Sequence, residues 1–360
     1  MLKFGIGKGP IKKKRAVVIA SSCAAVVLVA VLTVFLYING MLGKINYASA
    51  TSAASTDSSD ADLTTSSNAP QSTIEDIDSQ IRANLANSSI PLAYDENVFN
   101  VLLIGCDART NSDTGLSDSM IILSINKKTQ KIVMTSVMRD MYVAIPGYGS
   151  NRINAAYAFG GSKLLLDTIQ ANFKIKIDKY ICVNFFSFID IVDNLGGVNA
   201  RVSEAEMKDL NKNVEEINAI KGLPPSDGFL AQAGDDLHLT GKQTLGYVRI
   251  RHVGNADFER TERQRMVLTQ IFDKLRGQNV IQLNSLLGTL LPEITTNLSK
   301  GEFFSLLLSA PAYSNYTLVE DRLPIDGSFQ NVVINQMDVL SVDLTKNIAN
   351  LRSEIFNETD

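Results

Sequence analysis

Short apolar runs alternate with segments of helical periodicity over most of the chain after residue 95. Runs of about four to eight apolar or β-branched residues between turn residues are typical of strands, and apolar residues three or four apart are typical of helices. The pattern predicts strands at 99–105, 119–126, 131–138, 179–184 and 198–202. It predicts helices at 153–159, 163–173, 185–195, 204–220 and 240–245, two more between 280 and 310, and a last one at 335–356. Strands that alternate with helices indicate a layered α/β or α+β domain.

The amino-terminal part of the chain has a different pattern. Residues 16–38 are 23 residues without a charged side chain, which is long enough for a helix that crosses a bilayer. Residues 1–15 hold six basic residues and no acidic one. By the positive-inside rule we predict a cytoplasmic basic tail at 1–15, a transmembrane helix at 16–38 and an extracellular remainder. A cleaved signal peptide is the alternative, but the length of the apolar run and the late position of Ala48-Ser49-Ala50 favour an uncleaved anchor.

Residues 39–94 are predicted to be a tether. Ser and Thr dominate residues 48–73, and this composition cannot bury a core. Apolar residues at helical spacing follow, at Ile74, Ile77, Ile81 and Leu85, and they predict a short helix. Such a segment would hold the following domain away from the membrane.

The balance of charge and the missing motifs exclude several classes of protein. Beyond the basic tail the chain carries 28 basic and 38 acidic residues, a net charge of −10, and we therefore expect no nucleic-acid partner. The sequence has no P-loop, no H-E-x-x-H and no G-x-S-x-G, which argues against zinc or serine hydrolases of known pattern. Three cysteines exclude a disulfide-built fold. Buried thiols are the expectation for Cys106 and Cys182, whose pairing the sequence leaves open.

A basic stretch at residues 247–266 is the strongest candidate for chemistry. Five arginines lie in it: Arg249, Arg251, Arg260, Arg263 and Arg265. Apolar Val248 and Ile250 alternate with the first two arginines, and this pattern predicts a half-buried strand with both guanidinium groups on one face. Forked, permanently charged donors of this kind bind phosphate.

A helix is predicted to follow this strand, from about residue 257 to residue 275. Asp257, Arg260, Arg263 and Gln264 then fall roughly on one helical face. Two guanidinium groups from the strand could thus meet two more from the helix. The alternative is a solvated helix with ion pairs such as Glu259 with Arg263.

Two carboxylates are predicted to converge from adjacent strand ends. Asp107 and Asp118 lie at or near such ends, with Arg109 close by, and Arg139 emerges at the end of another strand. Mg²⁺ is typically bound by one or two carboxylates together with substrate phosphates. Turn-forming aspartates and a salt-bridged scaffold arginine are the structural alternatives. The neighbouring arginine cluster favours a metal-assisted phosphate site.

Five stretches in order resemble the LytR-CpsA-Psr family of membrane-anchored cell-wall enzymes. They are residues 101–109, 116–120, 136–140, 151–157 with Gly160-Gly161, and 247–251 through Asp257, Arg260, Arg263 and Gln264. The resemblance implies an α-β-α sandwich with a central mixed β-sheet flanked by helices. It implies a catalytic domain at 95–277, and we assign residues 278–360 to a C-terminal helical extension.

The resemblance also implies the roles of single residues. Asp107 and Asp118 match metal-associated aspartates, with Mg²⁺ or Mn²⁺ as the cofactor. We predict catalytic roles for Asp107, Arg139 and Asp257. The implied pyrophosphate-binding residues are Arg109, Arg139, Arg152, Arg249, Arg251, Arg260, Arg263 and Gln264. This chain departs from many members of the family at Leu116, where they have arginine, and at Arg152, where they have lysine.

The implied activity is transfer of an anionic glycopolymer, such as teichoic acid or capsule, from undecaprenyl pyrophosphate to peptidoglycan. The implied partners are the lipid-linked glycopolymer, peptidoglycan and the membrane of a Gram-positive cell. Two other hypotheses stay open: a hydrolase of lipid pyrophosphates that uses water as acceptor, and a non-catalytic transcriptional attenuator.

Overall fold

The computed structural model describes residues 40, 42–47, 71–86, 90–107, 115–254, 256–276 and 291–358. The chain divides into two units, residues 1–44 and residues 45–360, and few residues of the first are described. The predicted basic tail, the predicted transmembrane helix at 16–38 and most of the predicted tether lie outside the described residues. Among the helices that the structure does describe, none combines the length and the apolar character needed to span a bilayer.

Thirteen strands and eight helices can be assigned in the described residues. The strands are β1 (Asn46–Tyr47), β2 (Val98–Cys106), β3 (Ser117–Asn126), β4 (Lys131–Val137), β5 (Tyr142–Ile145), β6 (Gly149–Arg152), β7 (Lys179–Asn184), β8 (Val198–Val202), β9 (Gly234–Leu239), β10 (Thr295–Thr296), β11 (Thr317–Leu323), β12 (Phe329–Ile334) and β13 (Met337–Val342). The helices are α1 (Gln71–Ala86), α2 (Ala155–Phe173), α3 (Phe185–Asn194), α4 (Glu204–Lys221), α5 (Gly241–Val248), α6 (Ala256–Arg276), α7 (Lys300–Tyr313) and α8 (Leu344–Phe356).

Seven strands form a central mixed sheet in the order β1-β10-β7-β2-β3-β4-β11. β2, β3 and β4 pair in antiparallel fashion, whereas β7 and β11 join β2 and β4 in parallel. Three two-stranded sheets, β5-β6, β8-β9 and β12-β13, lie outside it. The predicted central mixed sheet flanked by helices is therefore confirmed.

Alternate strand residues point to opposite sides of the sheet, so that both faces carry apolar side chains. Helices cover both faces. On one face Leu102, Ile104 and Met120 pack into a core with residues of α2 and α8. On the other face Leu103 and Ile121 line a cavity together with residues of α3, α5 and α6. A second core, built from α3, α4, α5, β8 and β9, supports those helices from behind.

The predicted break at Gly160-Gly161 is present inside α2. Gly160 and Gly161 have non-helical backbone angles, and Gly161 adopts φ 63° and ψ −160°. This region of backbone space is essentially restricted to glycine because a Cβ atom would clash with the adjacent backbone of its own chain segment. The two predicted helices are thus two segments joined by a kink.

The predicted strand at residues 247–251 is wrong. These residues form the end of α5, with Arg249 as its C-cap, and Ile250 and Arg251 lie in the loop before α6. Thr240 begins the helix with a reciprocal capping box to Gln243. Val248 and Ile250 are both buried, but in the core behind the helices rather than on one side of a strand. The following helix begins at Ala256, which confirms the predicted start near residue 257.

The prediction of a helical extension at 278–360 is wrong in part, because this segment also contains strands. Helices α7 and α8 are present, but β11 forms an edge of the central sheet, and β12 and β13 form a hairpin. β11 pairs with β4 over its whole length, from Thr317 opposite Lys131 to Leu323 opposite Val137. Residues 317–323 form a strand because they pair with a strand almost two hundred residues earlier. The last helix, predicted at 335–356, begins only at Leu344, because Met337–Val342 pair with β12.

The two cysteines of the sheet are adjacent. Cys106 on β2 and Cys182 on β7 are buried, and their sulfur atoms lie 3.4 Å apart without a disulfide bond. The Tyr157 hydroxyl lies 3.3 Å from the Cys182 sulfur. The expectation of buried thiols is confirmed, and the strands that carry them are neighbours.

Candidate active site

Several chain segments meet at one end of the central strands β2, β3 and β4. Asp107 follows β2, and its backbone N–H donates to the Leu116 carbonyl across the strand pair, 3.1 Å away. This bond places Asp107 beside the start of β3, which carries Asp118. The end of β4 brings Arg139, the loop after α5 brings Arg251, and the first turns of α6 bring Asp257 and Arg260.

Three arginines converge on one oxygen of Asp118. Its Oδ1 atom lies 3.3 Å from Arg139, 3.1 Å from Arg251 and 3.4 Å from Arg260. Burial raises the pKa of Asp118, but the positive charges of Arg260, Arg251 and Arg139 outweigh it and hold the pKa below its ordinary value of 3.8. Asp118 is therefore ionised at neutral pH and holds the arginine cluster together.

Arg260 is the most deeply buried member of the cluster. Its side chain is only 3% exposed, and desolvation lowers its pKa to about 10 although Asp118 and Asp257 favour the charged form. Within the part of the chain that the structure describes, the buried Nε atom of Arg260 has no hydrogen-bond partner. Guanidinium donors with unused capacity are suited to a bound anion.

A pair of carboxyl groups lies on the other side of Arg139. Asp257 is 3.4 Å from Arg139, and Asp140 is 3.3 Å from the same guanidinium. Asp140 and Asp257 are hydrogen-bonded to each other; burial raises the pKa of Asp140, whereas Arg139 offsets burial and lowers that of Asp257. A carboxyl pair with divergent pKa values is typical of sites that share or move a proton.

Arg152 is held next to this pair by the C-terminal hairpin. It lies 3.4 Å from Asp140 and donates two hydrogen bonds to the carbonyl of Asp338, at 3.1 and 2.7 Å. The Leu340 backbone N–H in turn donates to the carbonyl of Asp140. The segment beyond residue 278 thus contributes to the placement of two site residues.

An apolar cavity of about 280 Å³ opens beside the arginine cluster. Its wall is formed by aliphatic and aromatic side chains of β2, β3, β7, α3, α5 and α6, among them Leu103, Ile121, Val183, Phe185 and Phe188. Asp118, Arg249, Arg260 and Gln264 also contribute to the lining. The Arg249 guanidinium stacks on Phe185 with 4.8 Å to the ring centroid and pairs with Glu216 at 3.2 Å. An apolar cavity with charged donors on its lining suits an amphiphile with an anionic head.

Not every predicted residue joins the cluster. Arg263 is buried between α6 and α4, where it pairs with Glu206 at 3.0 Å and Glu259 at 2.9 Å and donates to the Ile250 carbonyl. Its prediction as a pyrophosphate ligand does not fit these contacts, because its donors already have partners inside the protein. Arg109 lies outside the described residues.

Two acidic residues near the cluster were not predicted from the sequence as site residues. Asp140 is next to Arg139 in sequence, and its position at a strand end was the available signal. Asp209, on α4, accepts hydrogen bonds from the backbone of the loop that carries Arg251. No local pattern marks it, because the contact spans 42 residues of sequence.

The acidic residues fit a divalent cation only in part. In the described residues there is no cluster of three or more acidic, histidine or cysteine side chains that could hold a metal by itself. Asp107 and Asp118 lie on adjacent strand ends, which matches the way Mg²⁺ is bound by one or two carboxylates with phosphate oxygens completing the shell. The donor set therefore suits a cation that arrives with a phosphorylated substrate.

Comparisons with known proteins place this geometry in context. Regulatory protein MsrR of Staphylococcus aureus is 31% identical over 251 residues, which cover 69% of this chain and 71% of MsrR. The polyisoprenyl-teichoic acid–peptidoglycan teichoic acid transferase TagU of Bacillus licheniformis is 35% identical over 211 residues, or 58% of this chain and 62% of TagU.

Solved structures share the fold. The structure of TagT bound to LI-WTA aligns with a TM-score of 0.58 and 26% identity, covering 74% of this chain and 92% of TagT. The sequence pattern of the LytR_cpsA_psr family matches residues 47–352, so that the match includes the strands and helices that follow residue 278. The chain belongs to the LytR_cpsA_psr family.

Proposed function

We propose that this protein is a membrane-anchored phosphotransferase that moves an anionic glycopolymer of teichoic acid or capsule type from undecaprenyl pyrophosphate to peptidoglycan. The observation that carries the proposal is the apolar cavity, whose lining includes Asp118 and Arg260 of the arginine cluster and also Arg249. A polyprenyl pyrophosphate needs both parts: an apolar surface for the isoprenoid tail and guanidinium groups for the two phosphates. The similarity to the teichoic acid transferase TagU supports this choice.

The reaction assigns separate tasks to the residues of the site. The acceptor hydroxyl forms a new bond to the phosphorus that carries the glycopolymer, and the bond between that phosphorus and the bridging oxygen breaks. Polyprenyl phosphate leaves with the bridging oxygen. Arg139, Arg251 and Arg260 stabilise the negative charge that develops on the phosphates. The hydroxyl proton passes to the carboxylate of Asp257, which is ionised and adjacent to Arg139.

A divalent cation completes this proposal. Mg²⁺ or Mn²⁺, when bound, supplies further charge stabilisation at the phosphates. Asp107 and Asp118 are the residues that would hold it. Asp118 has a second task in the proposal, because its Oδ1 atom also orients three guanidinium groups.

The cellular arrangement is part of the proposal. The charge pattern of residues 1–38 favours a single-pass anchor with a cytoplasmic amino terminus and an extracellular catalytic domain. A reporter fused after Asp360 should then be active only outside the cell. Peptidoglycan and the lipid-linked glycopolymer would both be within reach of a tethered domain.

The test is a transfer assay with the full-length protein in detergent. Lipid-linked polymer and peptidoglycan are supplied, and the products are analysed with and without peptidoglycan. Arg251→Lys keeps the charge but loses the planar fork, and we expect a rate loss on the order of 10²-fold, as for removal of a preorganised oxyanion donor. The control is Arg201→Lys, an arginine that is 78% exposed. Polymer release that is independent of peptidoglycan would instead indicate a hydrolase, and a parental rate in Arg251→Lys would reject the site.

A further inference from the structure

The loop between α5 and α6 carries Arg251 but has little regular structure of its own. Arg251 follows the C-cap of α5, and its guanidinium reaches Asp118 at 3.1 Å while its side chain remains 35% exposed. A long side chain on a loop needs a fixed backbone if its guanidinium is to stay in one place. The contacts that fix this backbone are therefore of interest.

Asp209 on α4 binds the backbone of the loop. One carboxylate oxygen, Oδ2, accepts the backbone N–H groups of Arg251 and His252 at 3.0 and 3.2 Å. The other oxygen, Oδ1, lies 2.9 Å from Nδ1 of His252. All three contacts go to two consecutive residues, and the Asp209 side chain is only 9% exposed.

The Asp209 carboxylate is charged in this position. Burial raises its pKa, but the hydrogen bonds from the Arg251 backbone and from His252 outweigh burial and hold the pKa below the ordinary value of 3.8. Hydrogen bonds to an ionised acceptor are stronger than those between neutral groups. Asp209 is thus a strong anchor that makes no contact with Asp118 or with the other arginines among its described hydrogen bonds and ion pairs.

The residue before Arg251 is fixed from the other side. Ile250 is fully buried, and its carbonyl accepts a hydrogen bond from Arg263 at 3.4 Å. The peptide plane between Ile250 and Arg251 is therefore anchored at both of its polar atoms, by Arg263 at the carbonyl and by Asp209 at the N–H. Because the peptide group is planar, two anchors fix the direction in which the Arg251 side chain leaves the backbone.

We propose that Asp209 is a positioning residue for Arg251, which it orients toward the pyrophosphate through the backbone of residues 251 and 252. This inference rests on the proposed function, since it assigns the pyrophosphate as the ligand of Arg251. Asp209 contacts no substrate in this arrangement and acts only through the arginine. Loss of the carboxylate would let the loop shift, and a displacement of about 1 Å is enough to weaken catalysis strongly.

The main experiment is a double-mutant cycle in the full-length protein. Asp209→Asn keeps the size of the side chain but replaces the anion with a neutral amide. We expect a loss of about tenfold in transfer rate and in affinity for inorganic pyrophosphate measured by calorimetry, as for loss of a hydrogen bond to a charged group. In an Arg251→Lys background the same change should have little further effect, because residues that act through one another are not additive.

The matched control is Asp193→Asn. Asp193 also accepts a backbone N–H, that of Gly241 at 2.6 Å, at the opposite end of α5 from the Arg251 loop. If general weakening of this region were sufficient, Asp193→Asn would reduce pyrophosphate affinity as much as Asp209→Asn. The inference requires that it does not.

A spectroscopic readout tests the contact without any activity. The chain has only two histidines, His238 and His252, so their ¹⁵N imidazole signals are easily separated. Asp209→Asn should change the Nδ1 signal of His252 and leave that of His238, which faces Asn199, unchanged. If Asp209→Asn does not fold, Asp209→Glu, which displaces the carboxylate by one methylene, takes its place with the same expectations.

The outcomes separate this inference from the proposed function. If Arg251→Lys loses pyrophosphate affinity but Asp209→Asn does not, the inference is wrong and the proposed function stands. An equal loss from Asp209→Asn in both backgrounds, or an unchanged His252 signal, also overturns it. If the parent protein neither binds pyrophosphate nor transfers polymer, the proposed function fails and the inference fails with it.

Discussion

The carboxylate of Asp118 lies 3.4 Å from the guanidinium of Arg260, and the two side chains are only 12% and 3% exposed. Charged groups are costly to remove from water, and such a pair persists only because each partner compensates the other. Removal of either charge therefore leaves the other without its compensating partner.

Asp118→Asn should destabilise the protein strongly, because it leaves the Arg260 guanidinium buried without its nearest counter-charge. Breaking a buried ion pair by removing one partner costs about 3 kcal/mol or more. Urea unfolding at neutral pH measures this loss. Asp178→Asn is the control, since Asp178 pairs with Lys176 at the surface, where both side chains are at least 41% exposed. A surface pair of this kind contributes about 0–1 kcal/mol.

Removal of the buried arginine as well distinguishes charge imbalance from loss of packing. Asp118→Asn with Arg260→Met also removes the most deeply buried guanidinium, which had lost its nearest counter-charge, and part of the lost stability should return. If the double variant is instead less stable than Asp118→Asn alone, the pair is not the source of the destabilisation.

Asp321 should make stability depend on pH in the direction opposite to a salt-bridged carboxylate. Burial raises its pKa above 3.8, with a further contribution from Glu354. A group whose pKa is raised on folding contributes stability that is complete below the unfolded pKa and is lost as the pH rises through the folded pKa. Asp321→Asn should therefore be more stable than the parent at pH 7, and this advantage should vanish near pH 3. Denaturant unfolding at both pH values measures the difference.

The control for this pH dependence is Asp95, whose pKa is lowered by hydrogen bonds from the backbone and side chain of Asn97. A lowered pKa gives stability that is present above the unfolded value and is lost as the pH falls through the folded value. Asp95→Asn should thus shift stability at neutral pH in the opposite direction from Asp321→Asn. The same sign for both variants would contradict the assignment.

Substitution of Gly161 should destabilise the protein because of the backbone conformation at this position. Its φ of 63° and ψ of −160° lie in a region that costs other residues about 1–3 kcal/mol. Gly161→Ala should reduce the free energy of unfolding by that amount although no atom within 4 Å would meet the added methyl group. Gly301, in the first turn of α7, also has open space around it but no positive φ, and Gly301→Ala should stabilise by about 0.5–1 kcal/mol. Equal effects at the two positions would exclude backbone strain as the cause.

The strands and helices were predictable wherever a local pattern decides the structure. β3 and β4 are bounded by the turn at 127–130, and α4 begins at the capping box of Ser203 with Glu206 and ends at Gly222, so that sequence and structure agree there. β11 was not predictable, because its pairing with β4 is a long-range choice. The alternation of Val248 and Ile250 with arginines is compatible both with a strand and with the last turn of a helix.

The sequence predicts that arginines and aspartates form the site, but it does not predict which of the arginines contact Asp118. Arg260 and Arg263 are three residues apart on α6, and a sequence pattern cannot separate them. The structure turns Arg260 toward Asp118 and Arg263 toward Glu206, a residue that is 57 positions away. Asp118 on β3 and Glu206 on α4 decide this division, and only the tertiary packing brings them close.

The apolar cavity gives the last prediction, which separates the tail of the proposed substrate from its head. Val183 on β7 lines the cavity, and Val183→Trp would fill much of its volume of about 280 Å³. We expect the variant to lose binding of polyprenyl pyrophosphate while it keeps binding of inorganic pyrophosphate, because the arginine cluster is left in place. Both affinities are measured by calorimetry in detergent, alongside the melting temperature, since overpacking costs about 1–3 kcal/mol.

Val333→Trp on β12 is the control, because Val333 is half-buried but does not contribute to the cavity. Ile191 on α3 also lines the cavity, and Ile191→Phe should have the same effect as Val183→Trp in weaker form. Unchanged lipid binding in both cavity variants would place the isoprenoid tail elsewhere, and joint loss of lipid and inorganic pyrophosphate would mean that the cavity and the arginine cluster do not act as separate parts of one site.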